Sequence, residues 1–427
     1  MTTTSAPDDQ VRRAVAAVWR MESARLVATL TRHVGDLGLA EDLAQEALLE
    51  ALEKWPGSGV PRNPGAWLTT VAKRRAIDGW RRRDRLDERH AAMARDLEHD
   101  VHDNGQPWDP DDIDDDVLRL VFISCHPVLS REARIALTLR VVGGLSSEEI
   151  ARAFLVPTAT VQQRIVRAKK TLAAAKVPFE VPEPEQYAER LGSVLSVIYL
   201  IFNEAYAASA GSDWMRPDLA DEALRLGRVL AGLVPHAPEV HGLVALMEFH
   251  ASRFGARSAP DGSPVLLADQ DRRRWDHAQI ARGNAALARA DALGRGRGAY
   301  ALQAAIAQCH ATATTAEDTP WDDIVLLYEA LGRLVPSAVV ELNRAVAISM
   351  TSSGAGGPAA ALDLVDELGA SGRLDGYHLL PGVRGELLIR LGRHAEARTE
   401  LDKAARNAGN ARERAVLMAK AATLGDE

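Results

Sequence analysis

The chain has 427 residues, of which 47% are hydrophobic and 26% charged, and its formal net charge is −8. That length exceeds one ordinary core and implies two to four domains, while no unbroken apolar run reaches the roughly 18 residues of a membrane span. The polar start at residues 1–10 lacks the basic and apolar segments of a secretion signal, so a cytoplasmic protein is expected, and two cysteines, Cys125 and Cys309, exclude a disulfide framework or a cysteine-rich zinc site.

Strand-type alternation is almost absent, and Ala, Leu, Arg and Glu recur at three- and four-residue spacing from Val11 onward, which predicts an all-α chain. The first elements are helices over residues 11–34 and 39–54, a Pro/Gly loop at 55–64, and a helix from Pro64 to about Arg83; together they make a small three-helix unit over residues 1–95. Residues 96–116 carry ten acids and no Lys or Arg, and with Pro107 and Pro110 they read as a flexible linker. Residues 117–176 reverse the balance, with ten Lys or Arg against three acids. Short helices are predicted there at 117–125, 130–142, 146–154 and 158–175. The pair Cys125–His126 is expected in the core. Pro178, Pro182 and Pro184 then end this domain, and residues 177–427 form a separate all-helical part.

The last two helices of the basic domain carry the strongest local signal. Ser146 and Glu149 have the spacing of a capping box, Ile150, Ala151 and Phe154 face inward, and Leu155–Val156–Pro157 makes a turn before Thr158, expected to cap a second helix. This is helix-turn-helix spacing. Val161, Ile165, Ala168 and Leu172 form the packed face of the second helix. Thr158, Thr160, Gln162, Gln163, Arg164, Arg167, Lys169 and Lys170 remain for DNA, since Gln bonds adenine, Arg forks onto guanine and both Arg and Lys hold phosphates. No acid occurs between Glu149 and Glu180 to repel a phosphate backbone.

The first unit contains Asp42-Leu43-Ala44-Gln45-Glu46, then Trp55, then Pro64-Gly65-Ala66-Trp67-Leu68, then Ala72-Lys73-Arg74-Arg75-Ala76-Ile77-Asp78 and the run Arg81-Arg82-Arg83. With the helix-turn-helix, this order resembles the extracytoplasmic-function RNA polymerase sigma factors over residues 10–175. The resemblance implies that Asp42, Gln45, Glu46 and Leu49 contact core polymerase at the clamp helices of its β′ subunit, with β also contacted. It implies that Trp55, Arg62, Asn63, Lys73, Arg74, Arg75, Asp78, Arg81 and Arg82 face the melted minus-10 element, where a flipped base needs a pocket of loop and aromatic atoms, and that the Thr158 helix reads minus-35 DNA. Trp67 is expected to be buried beneath its helix. Many members have Ala-Arg-Asn where this chain has Ala72-Lys73-Arg74, so a minus-10 preference is not carried over.

In the remaining chain, helices are predicted at 219–234, 238–255, 274–293, 300–315 and 321–334. Gly385, Leu388, Gly392, Ala397, Leu401 and Ala404 approach tetratricopeptide spacing, and a weaker copy spans 339–368 with a Gly/Ser loop at 351–357. Segments such as Phe202-Asn203-Glu204-Ala205-Tyr206, Asp271-Arg272, Trp275-Asp276, Leu302-Gln303 and Leu342-Asn343 resemble the extension of a sigma group with a tetratricopeptide-like C-terminus. That resemblance implies that residues 177–427 regulate the sigma domains, through a contact within the chain or with a protein. Asn203, Glu204, Tyr206, Asp271, Arg272, Trp275, Gln303, His310 and Asn343 are the candidates for a regulatory groove; the polar ones serve equally well at helix ends and interhelical gaps. The expected protein binds promoter DNA and core RNA polymerase, without a membrane partner, metal or cofactor. A conventional helix-turn-helix activator on a tetratricopeptide scaffold is the alternative. An enzyme using Glu204, His250 or His310 finds no nucleophile, metal-ligand or phosphate-loop spacing to support it.

Overall fold

A computed structural model describes residues 6–83, 110–154, 156–206, 215, 217–259, 265–351, 356–408 and 411–424. Among them are eighteen α-helices and no strand, as the helical periodicity requires. The chain divides into two compact units, Met1–Leu200 and Ile201–Glu427.

In the first unit, helices α1 (Ala6–Val34), α2 (Leu37–Ser58) and α3 (Pro64–Arg83) pack on one another. Asp36 caps α2 by accepting from the Leu39 amide at 2.8 Å. Ala40, Ala44, Ala47, Ala51 and Trp55 form its inward stripe, a helical period that runs past the expected end at Lys54 and carries Pro56 in the last turn. Helices α4 (Pro110–Ser124), α5 (Arg131–Val141), α6 (Ser147–Phe154) and α7 (Thr158–Ala174) follow. The acidic strip is therefore not a linker throughout. Residues 84–109 lie outside the described residues, but from Pro110 the acids belong to α4. Asp116 is 1% exposed and paired with Arg32 at 3.3 Å and with Arg119. Two guanidiniums make its burial tolerable, although desolvation still holds the carboxyl above its ordinary range.

The two groups of helices touch directly. The Trp19 indole donates to the Gly144 carbonyl at 3.1 Å, and Gly144 has φ +70°. A Cβ there would stand 2.5 Å from the Oγ of buried Ser23. Gly144→Ala is expected to cost about 1–3 kcal/mol from the left-handed backbone and the clash combined, read as a lowered urea midpoint; an unchanged midpoint would mean that this contact is not formed.

Helix α8 (Pro184–Tyr206) spans the division between the units. Its first half lies on the α4–α5 region: Arg190 donates to the Phe122 carbonyl at 3.1 Å, Ser193 to the Cys125 carbonyl at 2.9 Å, and Arg134 to Ser193 Oγ at 2.7 Å. Cys125 itself is buried against Thr138, and burial raises its thiol pKa, as expected for a core cysteine.

The second unit continues with α9 (Pro217–Leu233), α10 (Pro238–Ala251), α11 (His277–Ala292), α12 (Ala299–Thr312), α13 (Trp321–Leu334), α14 (Ala338–Met350), α15 (Pro358–Ala370), α16 (Leu379–Arg390), α17 (His394–Asn407) and α18 (Ala411–Thr423). Arg274 lies in the 3-10 turn Arg272–Arg274 rather than opening α11, because Asp276 caps that helix by accepting from the Gln279 amide. From α13 onward each helix packs on the next. The small residues predicted at 385–404 serve that contact. A Cβ on Gly385 would lie 3.0 Å from Leu401, while Leu388, Ala397, Leu401 and Ala404 are fully buried.

Candidate nucleic-acid interface

The helix-turn-helix is built by local chemistry. Ser146 Oγ accepts from the Glu149 amide at 3.1 Å, and Glu149 Oε2 accepts from the Ser146 amide at 2.8 Å, so the capping box closes in both directions. Arg20 of α1 bonds the other oxygen of Glu149 at 3.0 Å. Burial works against that charge, but the backbone bond and Arg20 together keep the carboxyl pKa lowered. Thr158 does not cap α7. Pro157 occupies the cap position and supplies no side-chain bond, since its fixed φ already sets the chain for a helix and leaves Thr158 as the first helical residue.

Val161, Ile165, Ala168 and Leu172 are all buried on the inner face of α7. On the outside, Gln162, Gln163, Arg167 and Lys170 are exposed, with Thr158, Thr160 and Arg164 half-buried. Lys169 is engaged elsewhere. Its ammonium meets the Glu41 carboxylate and lies 3.5 Å from Asp42. Arg140 of α5 donates to the other oxygen of Glu41 at 2.8 Å. Glu41 is 5% exposed. Burial alone would raise its pKa, but Lys169 and then Arg140 outweigh it and hold the carboxyl below its ordinary range.

This contact joins two surfaces that the sequence assigns to different partners. Along α2, Asp42, Glu46 and Leu49 are exposed and Gln45 is half-buried; Leu49 is 59% exposed. Lys169 of α7 is largely buried in this contact, while Asp42, 3.5 Å away, keeps its side chain 72% exposed. Sequence reasoning missed Glu41 and Arg140, which anchor the contact.

The expected minus-10 surface is more mixed. Trp55 is 1% exposed and packs edge-on against Trp67 at 5.3 Å. It is a core residue and presents no stacking face. The inward stripe of α2 carries it inside, and Trp67, expected to be buried, is the more open of the two. Asn63 uses its side-chain oxygen to accept from the Ala66 amide at 3.1 Å, capping α3. Lys73 is buried, and Arg75 donates to Glu50 at 2.8 Å and to Glu46 at 3.2 Å. Arg62, Arg74 and Asp78 are exposed. Arg81 and Arg82 lie on α3, and their side chains fall outside the described residues.

The model for Sigma-70 region 2 matches residues 18–86 and that for Sigma-70, region 4 matches residues 119–172. The chain is 31% identical over 176 residues to the probable ECF RNA polymerase sigma factor SigI of Mycobacterium tuberculosis and 30% identical over 189 residues to SigG of the same organism. The chain belongs to the extracytoplasmic-function sigma factors. These alignments cover 40% of this chain and 59% and 50% of SigI and SigG. Beyond those regions, residues 190–291 of this sigma factor fit a family of unknown function, DUF6596, and along nearly its whole length the chain is 46% identical over 422 residues to an uncharacterized protein of Rhizobium meliloti, covering 94% of this chain and 95% of that protein. No solved structure matches. As a sigma factor the protein directs RNA polymerase to promoters. Among the described residues no helix is long and apolar enough to cross a membrane, and no cluster of potential metal ligands is present.

In the extension the structure brings Tyr206, Arg272, Trp275 and His310 together. Gln303 donates to Ala299 on its own helix, Asp271 bonds Arg273, and Asn203 and Asn343 are exposed. Glu204 is half-buried.

Proposed function

We propose that the first unit stores the sigma domains in a closed form, and that core polymerase binding opens it. The observation that carries this reading is the Glu41 carboxylate held between Lys169 and Arg140. It holds the α2 stripe against the DNA helix, while Leu49 stays exposed as a first docking point. In the open form Asp42, Gln45, Glu46 and Leu49 meet the β′ clamp helices. Lys169 is then released to join Thr158, Thr160, Gln162, Gln163, Arg164, Arg167 and Lys170 on the minus-35 element. Arg62, Arg74, Asp78, Arg81 and Arg82 serve the minus-10 strand, with Lys73, Arg75 and Asn63 holding the local backbone and charges in place.

If α7 lies in the major groove with Lys170 on a phosphate, Lys170→Ala weakens duplex binding across all sequences and lowers the salt slope by about 1. An unchanged slope in fluorescence anisotropy over a salt series would place Lys170 off the DNA.

Residues 177–427 act as the control element. The α8 contacts with the Phe122 and Cys125 carbonyls give this element a hold on the minus-35 domain. Removing residues 201–427, which leaves those contacts in place, is expected to change transcription with core polymerase at least fivefold. Transcription equal to that of the full chain would sink the proposal that the extension regulates.

A further inference from the structure

The second unit buries charge in two ways. At one place a buried carboxylate has partners of opposite charge. Glu248, 1% exposed, takes Arg228 at 2.6 Å and Arg282 at 3.3 Å. One turn further along the chain, Arg253 has no such partner among the described residues. Arg253 and Arg257 are 8% and 6% exposed, and Arg272 reaches the same place from the 3-10 turn Arg272–Arg274. The Arg253 and Arg272 guanidiniums lie 6.0 and 4.7 Å from the Trp275 ring centre.

Among the described residues neither Arg253 nor Arg272 has a carboxylate partner. Arg253 uses Nη2 alone, on the Tyr206 hydroxyl at 2.6 Å and on His250 Nδ1 at 2.8 Å. Arg272 uses Nη1 alone, on the carbonyls of His310 and Ala313 at 2.6 and 2.8 Å. Aromatic faces give the cations partial relief: Arg257 stacks 3.5 Å over Tyr206 and donates to its carbonyl. The nearby acids are directed elsewhere. Asp271 bonds Arg273, Asp318 bonds Thr315, and Glu317 and Asp318 act on Arg272 only through space. A buried guanidinium without a counter-charge is costly, and cations this close repel one another.

The histidines of the cluster respond to that field. His250 is driven well below its ordinary range by burial, then by Arg253 and Arg257. His310 falls to about 4 through burial, Arg253 and Arg272. Both are neutral near pH 7. His250 Nδ1 therefore accepts from Arg253, which leaves its Nε2–H as a further donor.

We propose that Tyr206, His250, Arg253, Arg272, Trp275 and His310 form a binding site for a small oxyanion, the phosphate or carboxylate group of a ligand. Arg272 keeps Nε and Nη2, the fork that grips such a group at two points, while Arg253 keeps Nε and Nη1, which face different sides so that one of them at a time can add a single bond. The Trp275 ring lies beside both guanidiniums, and the Tyr206 hydroxyl is held by Arg253. This site lies within the family of unknown function at residues 190–291 and the helices that pack on it, so it gives the extension a chemical input separate from promoter recognition.

The test is thermal unfolding and calorimetric titration of the full chain with inorganic phosphate, and in parallel with acetate, against chloride at equal ionic strength and pH 7. Either oxyanion should raise Tm and bind saturably, and the one that does identifies the group. Arg273→Gln, altering an arginine next to the site whose side chain is 90% exposed, should bind like the parent. Arg253→Gln and Arg272→Gln should each bind at least tenfold more weakly. Arg272, the less buried of the two, supplies the answer if Arg253→Gln fails to fold. No shift with either anion would mean that the guanidiniums are already satisfied and would overturn the proposal. An equal shift in all variants would do the same by showing a general salt effect.

Discussion

Glu41→Gln is expected to tighten binding of the chain to duplex DNA by up to roughly 100-fold and to steepen its salt dependence by about one phosphate contact. Glu41 accepts from Arg140 and Lys169 at a nearly inaccessible position. Removing one member of such a buried network costs about 3–5 kcal/mol, because the remaining charges lose their partner. Here the α5 and α7 cations can escape to solvent, so the loss falls on the contact between the two groups of helices rather than on either group's own core. DNA then no longer competes with Glu41 for Lys169. At 1.4 kcal/mol per factor of ten, about 3 kcal/mol taken from the closed form corresponds to the stated gain. Glu53→Gln makes the same change of charge at an exposed position of α2 and should leave affinity and slope as they were. The contact should also fail in acid. Glu41 has a lowered folded-state pKa, so its contribution to stability is complete above the unfolded value of 4.5 and is lost as pH falls through the folded value. If Glu41→Gln leaves DNA affinity and salt slope unchanged, the closed form does not restrain the DNA helix.

Leu49→Asp is expected to weaken binding to core polymerase by at least 30-fold while leaving the fold intact. Leu49 is 59% exposed and Leu52, further along α2, is 38% exposed. An exposed leucine contributes little to the stability of the free protein, and substitutions at such sites usually fall within about 0.5 kcal/mol. In a docked interface the same side chain is worth about 1.5–3 kcal/mol when fully covered, and an aspartate adds the cost of burying a charge. Titrating labelled chain with core polymerase measures the first effect, and urea unfolding the second. Unchanged affinity would remove α2 from the polymerase interface.

Features written within a few residues were legible in the sequence. The capping box needs only Ser146 and Glu149, and the packed face of α7 only the spacing of Val161, Ile165, Ala168 and Leu172; both form as their chemistry requires. Trp55 shows where punctuation misleads. Pro56 and Gly57 read as a break, yet the stripe at Ala40, Ala44, Ala47 and Ala51 already pointed inward at Trp55, and following that period one more turn would have placed it in the core. The acidic strip misled in the opposite way. Composition alone gave no sign that Asp116 would be buried with Arg32 as its partner.

Other features had no local signal. Glu41 finds Arg140 and Lys169 at separations of 99 and 128 residues, and only the folded chain brings them together. In the extension, Tyr206, Arg272 and Trp275 stand in segments that resemble the extension of a sigma group and His310 is a polar residue in an apolar helix, but nothing in the sequence singles out Arg253 and Arg257. Their charge looked like an ordinary helix end after α10. Burial gives it meaning, and burial at a helix end depends on α11, α12 and the intervening turns rather than on the sequence nearby.

The most direct measurement is size-exclusion chromatography of the purified chain with bacterial core RNA polymerase at moderate salt, run for the full chain, Glu41→Gln and Leu49→Asp. Co-elution of the full chain, co-elution at lower concentration for Glu41→Gln, and separate elution of Leu49→Asp are expected. If the full chain and Glu41→Gln both elute apart from core polymerase while still binding duplex DNA, the protein does not act as a sigma subunit through these surfaces.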